Sequence, residues 1–330
     1  MILREKLLAI FEKEMGNYVS GEELSRKLGV SRTAVWKQVS KLRELGYRID
    51  GTTRSGYRYL GPPDILYPRE VRRGLNTRFF GKEVLHFQRV GSTNQVALEL
   101  ARKGYPEGTL VVAEEQTAGR GRWRRPWLAP PGKALLFSLV LRPSLVPYRV
   151  PEVTLVAGAS VARAIHEHTG LRVGIKWPND LLYEGKKLCG ILVEMEAAAE
   201  QVNYLVLGIG INVNQEPADF PPELFDAATS LRMIRGEKVP RLPLLQRLLE
   251  ILEDDYQEYC RDGFASSRER WLGYQVTLGR RVRISVGGKE FSGEAAGLAE
   301  DGSLLLRLPG GNLISCNSGE VVLCREEGES

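Results

Sequence analysis

Cysteine and histidine are scarce in this chain of 330 residues, with four of the first and three of the second. The cysteines, Cys189, Cys260, Cys316 and Cys324, show neither the paired spacing of a zinc site nor a disulfide framework. A reduced, cytoplasmic protein is expected. Long hydrophobic runs are missing too. The opening MILREKLLAIFEKEM interrupts its apolar residues with charges every few positions, which argues against a signal peptide or a membrane span. Acid is absent from one stretch, residues 116–151, which hold seven Lys/Arg and no Asp or Glu. With 43% hydrophobic and 26% charged residues the chain is not disordered, and its length calls for two or three domains.

What is present is positive charge in two places. Residues 1–63 carry twelve Lys/Arg against seven Asp/Glu, which accounts for the whole formal excess of +5. A basic N-terminal module points to nucleic acid, whereas a basic patch inside an otherwise balanced segment suits a small anionic ligand.

Residues 2–15 read as an amphipathic helix with Ile2, Leu3, Leu7, Ala9, Ile10 and Phe11 near one stripe. Ser20, with Glu23 three residues on, has the spacing of a capping box. Gly29 closes that short helix and Ser31 caps the next. Val35, Val39, Leu42 and Leu45 fall on one face, leaving Arg32, Thr33, Trp36, Lys37 and Lys41 elsewhere. YRIDGTTRSGYRYL then reads as strand, turn, strand, a wing carrying Arg54 and Arg58. The pattern predicts a winged helix-turn-helix over 1–62, with Ser31, Arg32, Thr33, Trp36 and Lys37 facing DNA. A small three-helix interaction domain is the alternative, and Trp36 alone fits packing equally well. GPPDILYPRE, residues 61–70, is a short stiff linker.

From residue 68 to 272 strands and helices mix. EVLHFQRV, GTLVVAEE, ALLFSLVLR, LCGILVEME and YLVLGIGINV read as strands, and helical patterns cover 94–104, 150–169 and 241–261. Several strands follow one another without helices between them, which predicts an α+β multidomain chain with a mixed central sheet. Residues 273–330 read as short strands with Gly-rich turns.

Between two strands lies EEQTAGRGRWRRPW, with Arg120, Arg122, Arg124 and Arg125 in six positions. Glycines let backbone amides approach an anion, and guanidinium forks suit carboxylate and phosphate oxygens. A solvated charge run is the plainer reading of GRGR. Ser92 and Thr93 in RVGSTNQVALELA fit plain N-capping as well as ligand binding. KWPNDLLYEGKKLCGILVE places Lys176, Asn179 and Asp180 at a loop and Lys187 at a strand opening, where a turn lysine is also reasonable. LGIGINVN brings glycines and Asn212 to a strand end.

Taken together, GSTN, EEQTAGRGR, KWPNDLL, KLCGILVE and GIGINV resemble the biotin–protein ligases in composition, order and spacing. The winged helix in front is similar to the members that also repress transcription. GRGRWRRPW departs from the more Gly/Lys-rich stretch of some relatives, which weakens transfer of roles to Arg124 and Arg125. The resemblance implies a class II synthetase-like catalytic domain over 68–272 and an SH3-like β-barrel over 273–330. It implies ATP and Mg²⁺, with biotin joined to AMP and then passed to a lysine of a biotin carboxyl carrier protein. Catalysis would fall to Arg122, Lys187 and Asp180, the last also the candidate for Mg²⁺. Biotin would meet Ser92, Thr93, Asn94, Gln116, Arg120, Gly121, Arg122 and Lys187. ATP and the adenylate would meet Gly119, Arg120, Arg122, Arg125, Trp127, Lys176, Asn179 and Asn212. Operator DNA, and a homodimer formed on ligand binding, are the implied partners; no membrane is. Two rivals are a repressor that only senses biotin, and a ligase for another acid such as lipoate.

Overall fold

The computed structural model describes residues 3–52, 54–198 and 200–324. Its internal contacts divide the chain into two compact units, residues 1–65 and 66–330. The division falls inside the stretch read as a linker.

In the first unit, α1 (Leu3–Lys13), α2 (Gly21–Leu28) and α3 (Arg32–Glu44) pack with a small sheet of β1 (Tyr18–Val19), β2 (Arg48–Thr52) and β3 (Gly56–Gly61). The sheet order is β1-β3-β2, all antiparallel. Leu7, Leu8, Phe11, Leu24, Val35, Val39, Leu42 and Tyr59 are buried at its centre. Leu8 replaces Ile10 of the expected stripe, Leu45 is half-buried, and Ile2 lies outside the described residues. The Ser20 hydroxyl accepts from Glu23 N at 3.1 Å, a cap worth about 1 kcal/mol. The Glu23 carboxylate does not close the box but pairs with Lys27, one helical turn on, at 2.7 Å. Gly29 ends α2 in the left-handed conformation at φ 66°, and Ser31 caps α3 through Ala34 N.

The second unit is built on a seven-stranded sheet: β4 (Val84–Phe87), β5 (Leu110–Ala113), β6 (Ala134–Leu141), β10 (Gln201–Asn212), β9 (Lys186–Ala198), β8 (Asp180–Tyr183) and β7 (Gly174–Lys176). Only β4–β5 is parallel among these neighbours, so the sheet is mixed as predicted. The main core covers one face. It holds α6 (Val150–Thr169), apolar on most sides and therefore buried, with α8 (Arg241–Asp262) and α9 (Ala265–Tyr274) against it. On the opposite face, α5 (Thr93–Arg102) packs Ala97, Leu100 and Ala101 on Val111, Val140, Tyr204 and Val206. The rest of that face belongs to the site. Two short helices, α4 (Pro68–Arg72) and α7 (Leu231–Arg235), complete the unit.

At the C-terminus β11 (Arg281–Val286), β12 (Lys289–Leu298), β13 (Leu304–Arg307), β14 (Leu313–Cys316) and β15 (Glu320–Leu323) form an antiparallel sheet in the order β14-β13-β12-β11-β15. Its edge strands β14 and β15 are not paired with each other among the described residues, so closure into a barrel is not seen. Val282, Ile284, Leu304 and Leu306 belong to the same core as α6 and α8, which joins this sheet to the seven-stranded one. No helix among the described residues is long and apolar enough to cross a membrane.

Candidate functional site

The floor of the site is bare backbone. Gly210 pairs with Gly190 across β10 and β9, and Gly208 lies between Leu192 and Ser138. A Cβ on Gly210 would stand 2.7 Å from Cε2 of Trp127, and one on Gly190 2.9 Å from its Cζ3. The Trp127 ring therefore occupies the space that side chains would fill. Its indole Nε1 is buried with no hydrogen-bond partner among the described residues.

One end of the pocket is polar and neutral. Ser92 sits at the N-cap position of α5, yet its side chain makes no capping bond, so plain capping does not account for it. Gln116 Oε1 accepts from Thr93 N at 2.7 Å and Thr93 Oγ1 at 3.1 Å. Asn94 also lines the pocket, but its amide is engaged by the protein. Its Oδ1 lies 2.6 Å from Ser138 Oγ, and its Nδ2 donates to Glu194 Oε2 at 2.8 Å.

The other end is cationic. Lys176 closes β7, and a turn through the cis Trp177–Pro178 bond leads to Asn179 and Asp180 at the start of β8. Lys187 is the second residue of β9 rather than its first. Its Nζ lies 2.7 Å from Asp180 Oδ1 and 5.7 Å from the centre of the Trp127 ring. Asn179 Nδ2 donates to Asp180 Oδ1 at 3.1 Å. Burial pushes the Lys176 ammonium down from its usual range, with Asp180 opposing the shift.

The arginine loop closes the pocket from above. Trp127 N donates to Gly119 O at 2.9 Å and Gly121 N to Arg125 O at 2.8 Å, which folds the tip on itself. Arg122 points inward, donating to Asn179 Oδ1 at 3.3 Å and to Gly319 O at 2.9 Å. Burial lowers its pKa, and Asp180 and Glu320 act against that. Arg125 makes a two-pronged pair with Glu320, with one contact at 2.8 Å. Arg120, Arg122, Arg125, Lys176 and Lys187 face the pocket, as against the carboxylates of Asp180 and Glu320. An anion is attracted to such a surplus, and donors already fixed there need little rearrangement to hold it.

The structure thus gathers Ser92, Thr93, Asn94, Gln116, Arg120, Gly121, Arg122, Arg125, Trp127, Lys176, Asn179, Asp180 and Lys187 around one cavity, with Gly119 beside it under Trp127. Asn212 is set apart from the cavity lining. It is buried, donates to Thr229 O at 3.0 Å and accepts from Gln215 Nε2 at 2.8 Å. The sequence reading missed Ser138, Glu194, Gly319 and Glu320. An acid in the run of β9 on the same alternating face as Gly190 was the one available signal for Glu194. Gly319 lies 197 residues from Arg122 and Glu320 195 residues from Arg125, and nothing local marks them.

In the first unit Arg32, Thr33, Trp36 and Lys37 are all exposed, and Trp36 at 56% exposure is not a packing residue. Arg32, Thr33 and Trp36 share a groove with Arg54 and Tyr57 of the wing. Ser31, also assigned to DNA, uses its hydroxyl as the cap of α3.

Known proteins carry the same parts. The model of the Biotin/lipoate A/B protein ligase family matches residues 86–212, that of a helix-turn-helix domain residues 3–58, and that of the biotin protein ligase C-terminal domain residues 277–323. The chain is 42% identical to the bifunctional ligase/repressor BirA of Bacillus subtilis over 92% of this chain and 94% of that one. Identity to the Escherichia coli protein of the same name is 30%, over 96% and 97%. A solved biotin protein ligase from Aquifex aeolicus, in complex with biotin and ATP, is similar with a TM-score of 0.64 and 31% identity, over 74% of this chain and 100% of that one. With three family models matched in order and 42% identity across nearly the full length of a curated relative, the chain belongs to the biotin protein ligase family.

Proposed function

We propose that this chain is an ATP-dependent biotin–protein ligase that is also a biotin-responsive transcriptional repressor. The observation that carries the reading is the convergence of Arg122, Lys176 and Lys187 on Asp180, over a glycine floor and beside the polar end at Ser92, Thr93 and Gln116. A biotin carboxylate and the α-phosphate of ATP are both anions, so bringing them together needs this surplus of fixed cations. Carboxylate oxygen attacks the α-phosphorus, the bond to pyrophosphate breaks, and biotinyl-5′-AMP forms. A carrier-protein lysine amine then attacks the activated carbonyl, releasing AMP and losing a proton.

Hydroxyls and an amide at Ser92, Thr93 and Gln116 suit the mixed donors and acceptors of the ureido head. Lys187 is a point charge that can leave Asp180 for the carboxylate and then for phosphoryl oxygen. The buried Nε1 of Trp127 offers a free donor at the nucleotide end. Among the described residues no group of three His, Cys, Asp or Glu could hold a metal. Asp180 is one carboxylate already paired with Lys187, so Mg²⁺ fits as the companion of ATP, bound mainly through phosphates and water. The arginine loop over Trp127 would keep water from the mixed anhydride.

The same reading assigns a class II synthetase-like character to the catalytic sheet and an SH3-like one to the C-terminal strands, with domains at 1–62, 68–272 and 273–330. It places the protein in the cytoplasm with a carboxyl carrier protein, operator DNA and a ligand-induced homodimer as partners. The deciding test is mass spectrometry of a biotin carrier domain after incubation with the protein, biotin and MgATP. A gain of one biotinyl group is expected. No gain, with adenylate formed from lipoate instead, would replace this reading by its rival.

Arg122→Ala should slow adenylate formation and shorten adenylate retention. Loss of a charge-assisted bond in a closed site costs about 1.5–3 kcal/mol, roughly 10- to 150-fold. Unchanged adenylate lifetime in a filter-retention assay would remove Arg122 from the site.

A further inference from the structure

The arginine loop is held at three points of unequal strength. At its base Glu114 carbonyl accepts from Gly132 N at 3.0 Å, and the Glu114 carboxylate lies 2.8 Å from Arg241 with both side chains almost wholly buried. At its tip the Arg125–Glu320 pair is exposed, Arg125 by 66%. Between them Glu194, a residue of β9, uses its two oxygens in different directions. Oε2 accepts from Asn94 Nδ2 at 2.8 Å, and Oε1 accepts from Arg120 Nη2 at 2.8 Å.

The Asn94 end is buried and held on several sides. That residue is 5% exposed, is held by Ser138, and rests where a Cβ on Gly208 would collide with it. The Arg120 end is on the loop, whose backbone there bridges to Pro126. The pair itself is partly open to water, with Arg120 33% and Glu194 24% exposed. A fully buried pair such as Glu114–Arg241 breaks only at high cost, whereas a half-exposed one can exchange with solvent. The loop must do both, opening for substrates and staying shut over an adenylate.

We propose that Glu194 is a positioning residue, the latch that holds the arginine loop against the sheet through Arg120, with Asn94 as its anchor. The inference rests on the ligase reading for its consequence, retention of the adenylate, but not for the latch itself. Arg120 then serves the reaction by keeping Arg122 and Trp127 in place, since both lie within seven residues of it on the same folded tip. Loss of the latch lets the loop sample open positions, which exposes its peptide bonds and frees the ligand faster.

The test uses the full-length protein and the variants Glu194→Ala and Glu194→Gln, with mass-mapped limited tryptic cleavage after Arg122 and Arg124 in the absence of ligands. Both variants should be cut about fivefold faster than wild type, the size of a ~1 kcal/mol coupling. Preformed biotinyl-5′-AMP should leave them faster by a similar factor. The pair Arg120→Ala and Glu194→Ala combined should cleave no faster than Arg120→Ala alone, because one contact is removed either way. Unchanged cleavage in both Glu194 variants, or additive effects in the double variant, would overturn the latch. If Glu194→Ala melts early, the isosteric Glu194→Gln carries the comparison. Should wild type form no adenylate at all, the ligase reading fails while the cleavage comparison still decides the latch.

Discussion

Lys187→Met should lower the rate of adenylate formation on the order of 10²–10³-fold, the usual cost of removing one preorganised charge-stabilising donor. The argument starts from the backbone. Lys187 N donates to Ala227 O at 2.7 Å, and Lys187 O accepts from Thr229 N at 2.9 Å, so a strap from outside the sheet fixes this residue independently of its side chain. Methionine keeps most of the apolar stem beside Trp127 and removes only the ammonium. The fold should therefore survive, apart from the loss of a partner for the largely buried Asp180. The double variant Lys187→Met with Asp180→Asn separates the two effects, since it relieves the stranded carboxylate without restoring a cation. Single-turnover pyrophosphate release should stay low in both variants, while thermal unfolding recovers in the second. Normal adenylation by Lys187→Met would leave Lys187 as a surface turn residue paired with Asp180.

Lys187 was legible because local sequence announces a hairpin and a lysine at its far side. The turn Glu184–Gly185, both at positive φ, delivers that geometry. The three long strands β6, β9 and β10 and the helices α5, α6 and α8 were legible because period and length suffice, and the short β4 and β5 because each is a compact apolar run. The loop's inner logic was not. Glycines at 119 and 121 were expected to supply the unusual backbone, but positive φ falls on Trp123 and Arg124, at 57° and 58°. Gly119 matters through crowding instead, since a Cβ there would stand 3.0 Å from both Gln116 Nε2 and Trp127 O. The two non-glycine strains are tolerated because cross-links from Glu194, Glu320 and Gly319 determine where the tip lies, and each of those partners is more than seventy residues distant. Residue-by-residue patterns carry no information about such contacts. The capping box at Ser20 failed for a simpler reason: Lys27 one turn along α2 offers Glu23 a full charge, which outcompetes a backbone amide.

Biotin with MgATP should raise affinity for a palindromic operator at least about tenfold, or 1.4 kcal/mol, and Arg32→Ala should abolish that binding while leaving biotin transfer intact. Arg32 opens α3 beside the wing groove, and its present partner is Glu22 at 2.5 Å, with the two side chains 67% and 77% exposed. An ion pair that exposed contributes little, so exchanging Glu22 for a phosphate or a base edge meets almost no resistance. Thr33, Trp36 and Lys37 present the rest of the surface, which is too small for one copy to give a tight complex. Two copies on two half-sites gain through effective concentration, provided that something favours the paired state. A ligand with equal affinity for monomer and dimer shifts nothing, so the prediction requires an adenylate that binds the dimer better. The arginine loop is where that preference is to be sought, because it lines the pocket and also carries the exposed Trp123 and Leu128, 63% and 57% accessible. Titration of operator DNA with and without ligands, alongside sedimentation of the protein, checks both halves. Tight operator binding by a persistent monomer, or binding indifferent to ligand, would mean two unrelated activities on one chain. Retained operator binding by Arg32→Ala would move the DNA contact away from the start of α3 and onto the wing, where Arg54 and Arg58 are the next cations to test.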